Sequence, residues 1–319
     1  MTYLITGSTG LIGAALVKAV AASGGTAIAA ARNVEKARRL FNGIEGVEIV
    51  EWDVTRPVNE SILSLPSLSA PSHCCLIHAV AETASRNMVE RPVETMAVTL
   101  DGTRNALELA RRLKVEGMVY LSSMEVYGSP QDDRLIDESF VGPLDHLAPR
   151  SSYPLSKRMA EGLCAAYARE YNVPVKIARL AQVVGGEASD GDNRAIAQFA
   201  RAIAHGENIV LHTGGSSARC YCALPDAVEA ILFLLGNGVP GEAYNVADAA
   251  SYCSIRELAE RLCASHPPSR VVIDPAEGLG YAPACKLRLS TGKLEALGWK
   301  PRTGIMEAFD GLVASWRRG

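Results

Sequence analysis

The sequence has no Cys-x-x-Cys pair and no group of cysteines at metal-ligand spacing. Of its eight cysteines, Cys74 and Cys75 are adjacent and Cys220 and Cys222 have one residue between them, while the others are scattered. No metal site is therefore expected. Strong charge of either sign is also missing. A formal net charge of -3 argues against nucleic acid as a main partner, since that requires a pronounced basic surface. There is no apolar run long enough to span a bilayer, no internal repeat and no low-complexity linker. The first strand is expected to begin at Thr2, which leaves no room for a targeting segment. Reduced thiols in a cytoplasmic protein are the expectation that follows. The 319 residues, 48% hydrophobic and 21% charged, suit one large α/β domain or two lobes.

The chain opens on Thr2–Thr6, a short apolar strand, followed at once by Gly7-Ser-Thr-Gly10-Leu-Ile-Gly13 and an alanine-rich helix to about Ala22. A strand, a glycine-rich turn and a helix in this order form a dinucleotide-binding signature. Gly7 would allow the tight turn, Gly10 would let the backbone approach a pyrophosphate, and Gly13 would let helix pack on strand. The intervening Thr9, Leu11 and Ile12 belong to the same expected cofactor cradle. Free amides at the helix start suit phosphates.

The second strand, Thr26–Ala30, ends without the acid that usually bonds the ribose hydroxyls of NAD. Arg32 stands there instead, placed to meet a ribose phosphate, so the cofactor is NAD or NADP with a lean toward NADP. Asp53, with Val54 beside it, ends a third strand and could accept a bond from the adenine amino group. Cys74–His78 reads as a strand covered on both faces. His78 is taken as structural, and small Ala79, Val80 and Ala81 let the chain pass close to the cofactor. Pro92–Arg112 reads as a helix and Gly117–Ser122 as the fifth strand. Alternating strands and helices make the fold class α/β, a Rossmann-type doubly wound parallel sheet.

Tyr153-Pro-Leu-Ser-Lys157 starts the next helix. Residues four apart share a helix face, so a phenol and an ammonium would point the same way. A free tyrosine has a pKa of about 10, and a nearby cation would lower it. So tuned, Tyr153 could take a proton from an alcohol or sugar hydroxyl.

The glycine motif, the serine-bearing strand end and Tyr-x-x-x-Lys together resemble the extended short-chain dehydrogenase/reductase family, within its nucleotide-sugar epimerase and dehydratase group. The resemblance continues through Arg179-Leu-Ala-Gln182, the stretch from Arg219 to Asp226, and the tail Leu297-Gly-Trp-Lys-Pro301. It implies roles. Tyr153 would be the acid/base at the carbon-4 hydroxyl, and Lys157 would bond the nicotinamide ribose. Ser123 would share the substrate oxygen, and Gln182 would stand near the sugar or phosphate. Arg219 and Arg288 would bind the diphosphate. Glu125, in a pattern similar to that of sugar 4,6-dehydratases and nucleotide-sugar decarboxylases, would take the proton beside a transient ketone. Two residues depart from the family pattern: Met124 stands where an acid commonly expels water, and Thr99 stands where asparagine is usual.

In the second half, Asp192–Ala204 should be helical, Ile209–His212 a strand, and Ser254–Glu257 a capping box. The expected division is a dinucleotide-binding domain over 1–180, with 216–246 returning to it, and a smaller substrate-binding lobe from 181–215 and 247–319. The resemblance implies an NAD(P)-dependent nucleoside-diphosphate-sugar epimerase/dehydratase, paired as a homodimer through the helices near Thr99 and Tyr153. Two other readings stand: an NADP-dependent keto-sugar reductase, favoured by Arg32, and a non-catalytic dinucleotide sensor, against which the Tyr153/Lys157 pair counts.

Overall fold

A computed structural model describes residues 1–69, 74–187, 194–276 and 284–318. Seven strands form the main sheet: β1 Thr2–Thr6, β2 Thr26–Ala31, β3 Val47–Glu51, β4 Cys74–His78, β5 Gly117–Ser123, β6 Val175–Leu180 and β7 Ala243–Val246. Their order is β3-β2-β1-β4-β5-β6-β7, and every pairing is parallel. The chain reverses its direction of winding between β1 and β4, which opens a crevice at the carboxyl ends of those strands.

Apolar side chains of one strand feed two cores in alternation, as a period of two requires. Leu4, Ile28, Leu76 and Tyr120 pack against helices Pro92–Leu113 and Ser152–Tyr171. Ile5, Ala29, Ile77 and Val119 pack on the other face against helices Leu11–Ala22 and Leu224–Asn237. This two-sided burial is why β4 shows no polar alternation.

A second sheet runs Asp248–Ser254, Ala218–Ala223, Lys286–Leu289, Leu135–Ile136, with Gln182–Val184 paired to Ala218–Ala223. A third core gathers Phe199, Ile203, Tyr221, Leu258 and Phe309. Helix Ala195–Ala204 supplies part of it; Asp192 and Asn193, expected to begin that helix, lie outside the described residues. Of the stretch 216–246 expected in the main domain, helix Leu224–Asn237 and β7 do pack there. Strand Ala218–Ala223 instead belongs to the second sheet, because its backbone pairs with three lobe strands and none of the main sheet. The capping box at Ser254 and Glu257 is formed. The tail is anchored by Asp226, whose Oδ2 accepts from the amides of Arg302 at 3.1 Å and Thr303 at 2.8 Å, while Trp299 is buried. All eight cysteines are free and buried. Among the described residues no helix is long and apolar enough to cross a membrane.

Candidate active site

The glycine loop lies at the crevice between β1 and β4. Gly7 has φ +69°, in the left-handed region that glycine tolerates. A Cβ on Gly7 would approach the Ala79 carbonyl carbon to 2.7 Å, and one on Gly13 would reach the Gly7 oxygen at 2.1 Å. The strand ends and the helix start thus touch backbone to backbone. Helix Leu11–Ala22 begins at Gly10 with no side-chain cap and no acidic residue in its first turn, which leaves its dipole and amides for an anion. Ser8, which the sequence reading passed over, ties the loop to β2 by donating to the Ala30 oxygen at 3.0 Å. Thr9, Leu11, Ile12, Ala79, Val80 and Ala81 are all partly exposed along this crevice. These features fit a dinucleotide.

At the far end of the crevice Arg32 is exposed. Asp53 accepts from the Thr55 amide at 3.0 Å and its hydroxyl at 2.8 Å. Burial alone would raise its pKa, but these bonds and the charges of Arg32 and Arg56 hold the carboxyl below its ordinary range. Val54 is buried, and its carbonyl accepts from Asn105 at 2.8 Å.

Tyr153 and Lys157 project from the first turns of helix Ser152–Tyr171, where Pro154 removes no helical hydrogen bond. Both are buried. The Tyr153 hydroxyl faces Ser123 at the end of β5, close enough for Ser123 to favour the phenolate, and the Ser123 oxygen accepts from the Glu125 amide at 3.2 Å. The expected lowering of the Tyr153 pKa by Lys157 is not what the geometry produces. Burial pushes the phenol well above its ordinary value, and Glu125 adds to this, against Ser123 and Arg150. Lys157 is turned toward β5: Nζ donates to the Leu121 carbonyl at 2.7 Å and lies 4.7 Å from the Tyr120 ring centre. Burial pulls its own pKa down to about 8, against the charges of Glu161 and Cys164.

Two acidic groups flank this pair. Glu125 is held by Arg150, with Nη2 at 3.0 Å from Oε2. Glu161 accepts from the Ser122 hydroxyl at 2.6 Å and pairs with Arg179 at 2.7 Å. Arg179 also reaches the Tyr127 hydroxyl at 3.0 Å, which donates to Asn245 at 2.7 Å. Arg150 and Glu161 were not among the expected site residues. Glu161 extends the Tyr153/Lys157 spacing by four more residues, so its face was readable; Arg150 lies before the helix and has no such register. Met124 is buried in the core and offers no acid. The Thr99 hydroxyl donates back to Thr95 of its own helix at 3.1 Å. His78 is fully buried, with Nδ1 at 2.7 Å from the Thr6 hydroxyl, while its Nε2 is buried without a partner among the described residues.

From the second sheet, Arg219 reaches Gln182 at 3.3 Å, while its Nε is buried without a partner among the described residues. An orphaned guanidinium nitrogen fits an absent anionic ligand. Cys285 lies in the field of Arg219, Glu125 and Arg150, so this sheet closes over the β5 end. Arg288 does not join Arg219. Arg219 is in register with Leu287, so Arg288, one residue on, faces the other side of the sheet. It is exposed there, 5.8 Å from the Tyr252 ring centre. A separate cleft of about 570 Å³ opens between Phe140, Arg158, Arg179 and Lys293. Its cations are engaged with neighbouring carbonyl and carboxylate groups.

A family model described as "NAD dependent epimerase/dehydratase family" matches residues 3–247. UDP-glucuronic acid decarboxylase 6 of Arabidopsis thaliana is 26% identical over 321 residues, covering 99% of this chain and 89% of the relative. A UDP-N-acetyl-alpha-D-glucosaminuronate decarboxylase of Bacillus cytotoxicus is 32% identical over 213 residues, 64% of this chain and 63% of that protein. The structure of Thermus thermophilus UDP-glucose 4-epimerase, solved as a complex with NAD, superposes with a TM-score of 0.82 at 24% identity over 99% of each chain.

Proposed function

The chain belongs to the NAD dependent epimerase/dehydratase family, and from that premise we propose that this enzyme acts on a nucleoside-diphosphate sugar through transient oxidation at sugar carbon 4. The observation that carries the reading is buried Tyr153, facing Ser123 and sharing a helix face with Lys157. The relatives named above, all UDP-sugar enzymes by name, support the substrate class.

Gly7 to Gly13 and the bare helix start would hold the dinucleotide phosphates, with Lys157 donating to the ribose. When bound, the oxidised nicotinamide supplies a hydride acceptor and a positive charge that favours the Tyr153 phenolate. Ser123 orients the carbon-4 hydroxyl, and Tyr153 accepts its proton and later returns it. Arg219, with Gln182 beside it, binds the diphosphate. Glu125, at the same strand end, takes or returns a proton at the carbon next to the ketone. Tyr153→Phe should lower kcat by at least about a thousandfold while cofactor binding, followed by fluorescence, stays unchanged; retained turnover would sink the assignment.

A preference for NADP rests on exposed Arg32 and the missing acid after β2; it also favours the second reading, a keto-sugar reductase. Titration with both dinucleotides and an assay for net NADPH oxidation separate these. We assign 1–180 apart from Leu135–Ile136, with 224–246, to the cofactor domain and the remaining segments to the substrate lobe, a division that limited proteolysis checks. A homodimer would use Leu155, Met159, Leu163 and Ala166 on helix Ser152–Tyr171. Met159 is 57% exposed there, and light scattering of Met159→Glu is the test. Cytoplasmic location rests on the free thiols and is checked by cell fractionation.

A further inference from the structure

We propose that Glu161 is a positioning residue for Tyr153 and Lys157: its carboxylate, fixed between Ser122 and Arg179, keeps Lys157 in the ammonium form. Its part in the reaction rests on the nucleotide-sugar reading above; the charge on Lys157 does not. Tyr153, Lys157 and Glu161 follow one another at four-residue spacing on helix Ser152–Tyr171, so they share one face on successive turns. Two of these turns grip neighbouring residues of β5. Lys157 Nζ donates to the Leu121 carbonyl at 2.7 Å, and Glu161 Oε1 accepts from the Ser122 hydroxyl at 2.6 Å. Ser123, the next residue along the strand, faces Tyr153.

Lys157 is 1% exposed, and it lies against a neutral carbonyl and the face of the Tyr120 ring. A buried ammonium without a nearby counter-charge loses its proton readily. The groups that face it are Tyr153, Glu161 and Cys164 on its own helix, Tyr120 on β5 and His78 on β4. Burial holds both phenols and the thiol protonated and the imidazole uncharged. Among the described residues facing Lys157, Glu161 is the one anion. Arg179 secures it: Nε lies 3.0 Å from Oε1 and Nη2 2.7 Å from Oε2, with both side chains largely buried. Arg179 is held in turn by the Tyr127 hydroxyl and the Glu138 carbonyl. A carboxylate anchored in this way does not swing across to bond Lys157. It acts through its field, and the Nζ hydrogens that Leu121 does not use stay free for the cofactor ribose.

The experiment follows Lys157 by NMR in protein labelled with 13C-lysine, titrated in pH, with the signal assigned by its loss in Lys157→Met. In the wild type it should titrate at about 8. Glu161→Gln keeps the size and an acceptor for Ser122 but not the charge. It should lower the proton affinity of Lys157 by about threefold or more, a shift of about half a pH unit. Ser122→Ala keeps the charge and breaks the tie to β5, so the shift should stay below about threefold. Where Glu161→Gln does not fold because Arg179 is left unpaired, Glu161→Gln/Arg179→Met removes both charges and should give the shift expected of the single variant. A smaller shift in the variant that lacks the charge, or an equal one in Ser122→Ala, overturns the proposal. In turnover, the fall of kcat at alkaline pH should move down by the same amount while the acid side stays in place. A lower kcat with both sides unmoved makes Glu161 merely structural and overturns the proposal as well. If the titration shifts as expected but none of UDP-, dTDP- and GDP-glucose nor UDP-glucuronic acid is turned over, the nucleotide-sugar reading fails, and the charge on Lys157 remains assigned to Glu161.

Discussion

The two halves of the site hold their anions by different means. The cofactor half is built from backbone: glycines that let strand and helix touch, and a helix start left bare. The substrate half is built from side chains, with buried nitrogens on Arg150 and Arg219 that no neighbour among the described residues satisfies. A backbone site is complete as folded and tolerates almost no added atom. A side-chain site carries the cost of its orphans until a ligand supplies acceptors. The first costs little stability and is hard to modify; the second costs stability and can be re-tuned one residue at a time.

The largest break in this contrast should come from Gly13→Val. The new Cβ falls 2.1 Å from the Gly7 oxygen, so the helix must shift away from the strand. Overpacking of this kind costs about 2–3 kcal/mol, and the phosphates lose their amides. Urea unfolding should show that loss, and NAD titration a weakening of at least about a hundredfold, equivalent to about 3 kcal/mol. Binding within about threefold of wild type would mean that the cradle is not where the cofactor sits.

Arg219→Met should act the opposite way. Its Nε already lacks a partner, so removing it relieves a buried donor and should leave stability unchanged or raise it by up to about 1 kcal/mol. Nucleotide-sugar affinity should fall about tenfold to a hundredfold, as for a lost charged hydrogen bond, with NAD affinity unaltered. A drop in both affinities would erase the distinction between the halves.

The same contrast explains what the sequence made legible. Gly7 and Gly13 are readable because only glycine meets the backbone demand, and Tyr153 and Lys157 because helical spacing puts them on one face. The parallel sheet was visible in apolar strands such as Cys74–His78. Arg288 was misjudged because spacing along the chain does not say which face of a short strand meets Arg219; the register to Leu287 does. The pKa of Tyr153 runs against the expectation because burial, which depends on the whole fold, dominates it, while Lys157 is turned to the Leu121 carbonyl. Arg150 was missed because its partner Glu125 comes from a strand end 25 residues away. The stretch 216–246 was assigned whole to the cofactor domain, whereas Ala218–Ala223 pairs in the second sheet, because pairing partners are a long-range property.

The smallest effect probes why the cofactor half tolerates so little charge. His78 ends β4 beneath the glycine loop, fully buried against Thr6 and stacked on Tyr120. Burial first, and then the charge of Lys157, lowers its pKa from 6.5 to about 3. With the folded value depressed, the unfolded chain binds a proton that the folded chain refuses between those two pH values, so stability falls as pH drops below about 6.5. At pH 5.5 the loss from this one group is about 1.4 kcal/mol relative to neutral pH. Carboxylates titrate over part of the same range, so the measurement is a difference: urea unfolding from pH 7 to 5.5 for the wild type and for His78→Asn. The variant keeps an acceptor near Thr6 but cannot titrate, so its stability should decline less steeply by about that amount. Equal slopes would mean that a proton can enter beneath the loop at little cost, and that the cofactor half is no less tolerant of charge than the substrate half.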